Sequence, residues 1–480
     1  MSKKIEINPV TRVEGHGKVT IHLDDNGAVE DARLHIVEFR GFEKFVQGRP
    51  FWEMPTLSQR MCGICPVSHH LAAAKTCDAI FSSQVPAGAD KIRRMMHNGQ
   101  VLQSHALHFF HLCAADFLLG FDSDPASRNV IGLINADPEL ALKAVRLRKF
   151  GQEVIQFTGG KKIHPTGAIA GGVNAPVTDE ARKYMRENVD QIIQWGIEGV
   201  EICLNYYKEN VDLFNTFASF DTGYMGSVNE KGELQLYDGT LRGIDANGQI
   251  VFDQLPYANY LDEINEAVED WSYMKFPFFK KLAKTEGDYR DASYRVGPLA
   301  RFNIADSIST PEAGKYFDIF KEIANGKPVK GSLFYHFARL VEMLHATELI
   351  KEGLEDDDIQ STDLVHKGKM VNEGVGIIEA PRGTLIHHYK VDDDGLLVRC
   401  NLIVATTQNN VGMNSAVSTI AKSFIQPGKE ITEGILNRIE VGIRCYDPCL
   451  SCATHAVGQM PLSVDVVDKQ GNVVKQIIRD

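Results

Sequence analysis

Two cysteine pairs carry most of the chemistry in this sequence. The first lies in Arg60-Met61-Cys62-Gly63-Ile64-Cys65-Pro66 and the second in Asp447-Pro448-Cys449-Leu450-Ser451-Cys452. A CxxC spacing puts two sulfurs on one side of a tight turn, where both reach a single soft cation. Thiolates select zinc, nickel, copper(I) or iron–sulfur. Zinc ribbons separate their pairs by roughly fifteen to twenty residues. Here nearly the whole chain lies between the pairs, which argues against a zinc staple. A thioredoxin-like redox pair fits less well still, because no βαβ pattern surrounds either motif. His455 stands three places after Cys452, a spacing that suits a ligand or a residue hydrogen-bonded to one.

The other cysteines are Cys77, Cys113, Cys203, Cys400 and Cys445. An odd total of nine in a large chain makes a disulfide framework a poor fit. Scattered thiols of this kind are usually small buried apolar residues. They form no iron–sulfur run, and no G-x-G-x-x-G follows a strand, so the chain should bind neither an iron–sulfur cluster nor a nucleotide or flavin. The run His105, His108, His111 has the i, i+3 spacing of neighbours on a helix. Buried, hydrogen-bonded histidines at a subunit interface are the plainer explanation than a metal face.

These groups need a scaffold. With 480 residues, 44% hydrophobic and 24% charged, the chain has an ordinary globular composition and room for two or three lobes. A formal net charge of −12 argues against nucleic acid as a partner. No window approaches a membrane span. The start, Met1-Ser2-Lys3-Lys4-Ile5, lacks the apolar stretch of a signal peptide, so a cytoplasmic location is expected.

Alternating Val19, Ile21 and Leu23, a turn at Asn26-Gly27, then Val29, Leu34 and Ile36 predict a hairpin. Strand-like stretches follow from Leu234 to Phe252, around Asp394-Gly395, and weakly from Ser463 to Ile478 around Gly471. Between them, Asp90–Leu119 and Asp179–Phe217 read as helices. Phe337, Leu340, Val341 and Leu344 mark one face of another. The expected fold is mainly α with small peripheral antiparallel β-sheets. Its segments would be a β-rich start (1–60), a helical core (61–225), a β-hairpin insertion (226–255), more helical core (256–382), a strand-rich segment with the second CxxC (383–455) and a C-terminal extension (456–480).

Taken together, Arg12-Val13-Glu14-Gly15-His16, the R-x-C-G-I-C from Arg60 to Cys65 and DPCLSCATH from Asp447 to His455 resemble the large subunit of nickel–iron hydrogenases. The likeness covers nearly the whole chain. It is strongest to the cytoplasmic multimeric group coupled to soluble carriers, and within it to the NAD-coupled bidirectional enzymes. The stretches FRGFEKFVQGRPFWEMP, CGICPVSHHLA, QSHALHFFHL, VATTQNN and DPCLSCATHAVGQMP carry that judgement.

The resemblance implies roles. Cys62 and Cys449 would be terminal nickel ligands. Cys65 and Cys452 would bridge nickel to an iron carrying CO and two cyanides. Arg382, in Ala380-Pro381-Arg382-Gly383, would hang over the open metal face, and Glu14 would relay protons from a terminal cysteine. His69, one helical turn after Cys65, would tune a bridging sulfur. Pro381 and Thr406 would cradle a cyanide, with Ala405 where many relatives carry proline. Glu43, the Leu402 carbonyl and His455 would hold Mg2+ or another hard cation.

The two electrons from H2 would pass to a small iron–sulfur subunit, then on through diaphorase-type flavin and iron–sulfur subunits to NAD. Coenzyme F420, ferredoxin or a bifurcating flavoprotein are rival acceptors, and a non-catalytic hydrogen sensor is a rival of another class. Nickel-insertion factors would load the site. A maturation endopeptidase would then remove 456–480, leaving His455 last.

Overall fold

The structure is a computed structural model that describes residues 4–454, 462–467 and 473–479. Lys4–Ile7, Gly17–Leu23 and Val29–Ile36 form an antiparallel sheet in chain order, with Gly27 at positive φ in the predicted turn. Val19, Ile21 and Leu23 face the core, as their alternation requires. Helical turns begin at Phe42, inside the segment read as β-rich.

A body of long helices follows. Pro66–Ile80, Ala87–Ala106, Pro138–Gly159, Asp179–Glu209 and Phe334–Glu355 pack against one another. The last of these is almost wholly buried. Its predicted apolar stripe understates its burial: Arg339, Glu342, His345 and Ala346 are buried as well as Phe337, Leu340, Val341 and Leu344. A helix apolar on one side and still buried on the others must satisfy its charges inside.

The expectation for 226–255 needs correction. Gly223–Val228, Thr240–Ile244 and Ile250–Leu255 belong to a four-stranded sheet, and the fourth strand, Tyr294–Arg295, runs parallel to the first. Nor is every sheet peripheral. Glu373–Ala380, Gly383–Val391 and Leu397–Ile403 form a largely buried sheet lying on the Pro66–Ile80 helix. Ala380 pairs directly with Gly383, so Pro381 and Arg382 are the tip of a two-residue hairpin.

Beyond Ile403 the segment read as strand-rich is helical. Asn410–Phe424 buries Met413, Ala416, Val417 and Ile420 at helical spacing, and Glu433–Arg444 follows. The hairpin expected near Gly471 is present as Leu462–Val467 paired with Val473–Arg479, although Gly471 itself lies outside the described residues. Among the described residues no helix is long and apolar enough to cross a membrane.

Candidate metal centre

The four cysteines meet. Their sulfurs all lie within 4.8 Å of one another, and all four residues are buried. Cys62 Sγ is 3.4 Å from Cys449 Sγ, Cys65 Sγ is 3.7 Å from Cys452 Sγ, and Cys449 and Cys452 are 2.8 Å apart.

The first pair stands on a helix start. Cys65 is the N-cap of Pro66–Ile80, with Pro66 in its first turn, where a missing N–H costs nothing. The amides of Ile64 and Cys65 donate to Cys62 Sγ at 3.2 and 3.4 Å, a nest that favours a thiolate. The second pair sits on a single 3-10 turn, Leu450–Cys452, entered from Asp447 at φ 50. Contacts from elsewhere hold it. The Cys449 amide donates to Thr406 Oγ1 at 3.0 Å, and Glu14 bridges to Cys449 backbone to backbone, with the Leu450 amide on the Glu14 carbonyl at 3.0 Å.

Glu14 also meets the sulfur. The Cys449 thiol donates to Glu14 Oε2 at 3.0 Å, and the Ser451 amide reaches the same oxygen at 3.2 Å. The Ser451 hydroxyl donates to the other oxygen. Arg382 donates from Nε to the Asp447 carbonyl at 2.6 Å and from Nη2 to Asp447 Oδ1 at 3.0 Å. Its Nη1 is buried with no hydrogen-bond partner. Arg382 lines a small cavity together with Cys65, Ser68, His69, Leu385, Thr406 and Cys449.

The electrostatics are those of a site short of positive charge. Hydrogen bonds from Cys449, Cys452 and Cys62 pull the Cys65 thiol far down, while burial pushes Cys449 and Cys452 far up. All four can ionise together only around a cation. Burial would lower Arg382, but Asp447 and the neighbouring thiolates outweigh it and raise it strongly. Burial lifts Asp447 to about 6 despite Arg382 and Arg339. A four-thiolate set, a mutual spacing of one ion's reach and an orphan cationic donor beside it fit a soft metal centre.

The other expected residues fall as follows. His69 shares a hydrogen bond with the Cys65 sulfur and sits 3.2 Å from His387 Nε2 through its Nδ1, and His387 in turn contacts the Tyr389 hydroxyl. Pro381 is at the hairpin tip beside Arg382. Glu43, raised by burial, accepts the Leu402 amide at 2.8 Å, so those two do adjoin. His455 lies outside the described residues.

The histidine run is not a metal face: His105 and His108 are buried within this chain, and only His111 is half-exposed. A π-helical turn, Leu107–Cys113, breaks its spacing. His105 contacts Glu342 at 3.1 Å, while His108 meets the Arg444 carbonyl at 2.7 Å and stacks on His336. His108, Cys113 and His336 are close enough to share an ion. Arg339, on His336 at 3.4 Å, supplies a buried positive charge there that opposes a cation.

Sequence reasoning missed Asp447 as the partner of Arg382, and it missed the buried charges Arg301, Glu342 and Glu379 altogether. The available signal was a glutamate inside the apolar helical pattern around Leu340 and Leu344.

The pattern of the nickel-dependent hydrogenase family matches residues 40–127 and 210–455, and that of the HoxL-like family matches residues 4–39. The chain belongs to the nickel-dependent hydrogenase family. It is 46% identical to the NAD-reducing hydrogenase HoxS subunit beta of Cupriavidus necator over all of both chains. It is 42% identical to an F420-non-reducing hydrogenase chain of Methanothermobacter thermautotrophicus, covering 99% of this chain and 100% of that one.

Among solved structures it superposes on an NAD+-reducing [NiFe]-hydrogenase in the H2-reduced state with a TM-score of 0.91 at 50% identity, covering 94% of this chain and 99% of that one. The Ni-Fe-Se hydrogenase of D. vulgaris Hildenborough gives 0.75 at 25% identity, covering 95% and 100%. The mainly helical fold and the hydrogenase large-subunit reading of the motifs both stand, and the four-cysteine cluster is compatible with a nickel–iron site.

Proposed function

We propose that Cys62, Cys65, Cys449 and Cys452 hold a nickel–iron centre whose iron carries CO and cyanide, and that the chain makes or splits H2 there in exchange with NAD(H) through partner subunits. The observation that carries this reading is four buried thiols within one ion's reach, with Glu14 on the Cys449 sulfur and the unpartnered Arg382 Nη1 on the cavity that Cys65 and Cys449 line. When bound, a nickel–iron pair supplies an open, electron-rich coordination face at which H2 can be polarised.

This chain's residues do the rest. The Cys449 thiol hands its proton to Glu14 Oε2, and Glu14, itself half-buried and held by the Ser451 hydroxyl, passes it on toward solvent. Arg382 keeps a fixed positive charge on the cavity without giving up a proton, because its neighbours hold it far above neutrality. Ala380, Leu385, Val404 and Thr406 line the cavity and exclude water, and Pro381, next to Ala380 at the hairpin tip, would help Thr406 cradle a cyanide. His69 donates to the Cys65 sulfur and draws electron density from it. Glu43, beside Leu402, would hold Mg2+ together with His455.

Electrons need a short way out. Gly63, between the two cysteines of the first pair, is exposed. His164, which contacts the Cys62 carbonyl at 3.1 Å, stands beside the exposed Arg60. An iron–sulfur small subunit docked on that face would take the electrons, with diaphorase subunits beyond it. The relatives named NAD-reducing favour NAD over coenzyme F420 or ferredoxin as the final acceptor.

Metal analysis and infrared spectroscopy of the purified complex test the centre. One nickel, one iron and CO and cyanide bands are expected; zinc without those bands would overturn it. NAD reduction by H2 in the same preparation tests the coupling.

A further inference from the structure

The hairpin tip that presents Pro381 and Arg382 has to be held in place, and a buried ionic cluster stands directly behind it. Arg301, fully buried near the end of the Pro298–Ile304 helix, donates from Nη1 to the Ala380 carbonyl at 3.0 Å and from Nη2 to the Pro381 carbonyl at 3.5 Å. The same guanidinium binds Glu342 at 2.6 Å through both Nε and Nη2, and Glu379 at 2.9 Å through Nη1. Glu379 Oε1 accepts the Thr384 hydroxyl at 2.7 Å and the Ser227 hydroxyl at 3.2 Å. His105 closes the other end on Glu342. Burial would raise Glu342, but Arg301 outweighs it and holds the carboxyl down at about 2.

Such a cluster is a weak source of net stability. Desolvating three charges costs about as much as their attraction returns, and a well-packed apolar set is often as stable. What the cluster does supply is geometry. Glu379 is on the strand entering the hairpin and Thr384 on the strand leaving it, so Arg301 binds the entering leg and the Ala380 and Pro381 carbonyls directly and reaches the leaving leg through Glu379. The packing leaves no slack. Gly297 sits at φ +96 and Gly383 at φ +134; a Cβ on the first would come 2.7 Å from the Arg382 carbonyl oxygen, and on the second 2.7 Å from the Gly297 nitrogen. Backbone meets backbone, and the arginine reaches through from behind.

We infer that Arg301 is a positioning residue for the reaction: it fixes the Ala380 and Pro381 carbonyls so that Arg382, with Ala380, lines the four-cysteine cavity. This rests on the reading that Arg382 fronts the metal centre. A lysine at 301 keeps the charge but offers one tetrahedral head, which cannot serve two carboxylates and two carbonyls in one plane.

The test uses the assembled hydrogenase carrying Arg301→Lys, with Arg295→Lys and Arg382→Lys alongside. Arg295 is equally buried, but its guanidinium bonds the Lys330 carbonyl and the Tyr224 hydroxyl and neither tip carbonyl. Arg301→Lys should shift the infrared CO and cyanide bands of the loaded centre and lower turnover about 100-fold, as expected of a small misplacement of a polar group. Arg295→Lys should cost melting temperature while keeping bands and turnover. Unmoved bands with wild-type turnover in Arg301→Lys overturn the inference. If Arg382→Lys still cripples turnover in that case, the reading of Arg382 survives alone; if Arg382→Lys is also active, that reading falls as well. Should Arg301→Lys not yield loaded enzyme, Glu379→Gln frees one leg of the hairpin. It should shift the bands in the same direction by less, and unmoved bands there overturn the inference too.

Discussion

The two CxxC pairs have the same spacing and meet at one point, yet they are supported in opposite ways. Cys65 caps a fifteen-residue helix with Cys62 three residues before it, and the donors are local: amides two and three positions along the chain for Cys62, and His69, one helical turn on, for Cys65. Cys449 and Cys452 sit on one irregular turn whose restraints come from Glu14, Thr406 and Arg382, all remote in sequence. The first pair is organised by local backbone, the second by tertiary structure. A motif of four residues therefore says little about its own rigidity. A helix start can preorganise a pair before folding is complete, while a loop pair takes its geometry from whatever reaches it.

The sharpest way to break this contrast is to remove one sulfur from each side. Cys65→Ser and Cys449→Ser should each abolish nickel retention and H2-dependent dye reduction. Full activity in either variant would refute the ligand assignment for that pair.

Next in size is Glu14→Gln. It keeps the Ser451 contact and the buried volume but loses the proton acceptor. Turnover should fall by about 100-fold or more with nickel content unchanged. Loss of nickel instead would mean that Glu14 serves mainly as a support for the second pair.

Acid sensitivity should mark the first pair's side. His70, on the same helix, is buried between the Pro55 carbonyl and the Ala168 amide, and burial lowers it to about 4. A histidine held neutral in the fold but free to protonate at its ordinary value when unfolded contributes stability above pH 6.5, lost as pH falls toward 4. His105 and His345, also lowered by burial to about 4, add to the same slope. Denaturant titrations of wild type and His70→Gln should show a shallower loss in the variant across that window, by about 1–3 kcal/mol at its lower end. Parallel curves would contradict it.

Thr406→Val should have the smallest effect, about 1 kcal/mol, because one hydrogen bond to the Cys449 amide is lost at constant shape. It should nevertheless speed nickel loss to a chelator, whereas Pro66→Ala on the first pair should not.

Much of this organisation is legible in the sequence. Asn26-Gly27, Asn247-Gly248 and Asp394-Gly395 mark real turns because only a few residues tolerate positive φ there. The four cysteines, Glu14 and Arg382 are legible through their motifs. Three things are not. The histidines at 105, 108 and 111 have the spacing of a common face, but a π turn redirects them, and nothing in residue type announces a π turn. Arg301, Glu342 and Glu379 read as ordinary charges because ion pairing between distant segments has no period. The 383–455 segment is misjudged because its β-hairpin signal around Gly395 is strong and local, while the helix from Asn410 to Phe424 declares itself only by what it buries.

The bridge between Glu14 and Cys449 spans 435 positions of chain. A ribosome adding about 5–20 residues per second needs on the order of tens of seconds to cross that distance. For that interval Cys62 and Cys65 exist as half a binding site, on a helix already able to form. Their thiols are then open to stray zinc, copper or oxidant, with no second pair to exclude them. Loading the correct metals is thus a problem of timing as much as of affinity, and delivery that waits for the second pair avoids it.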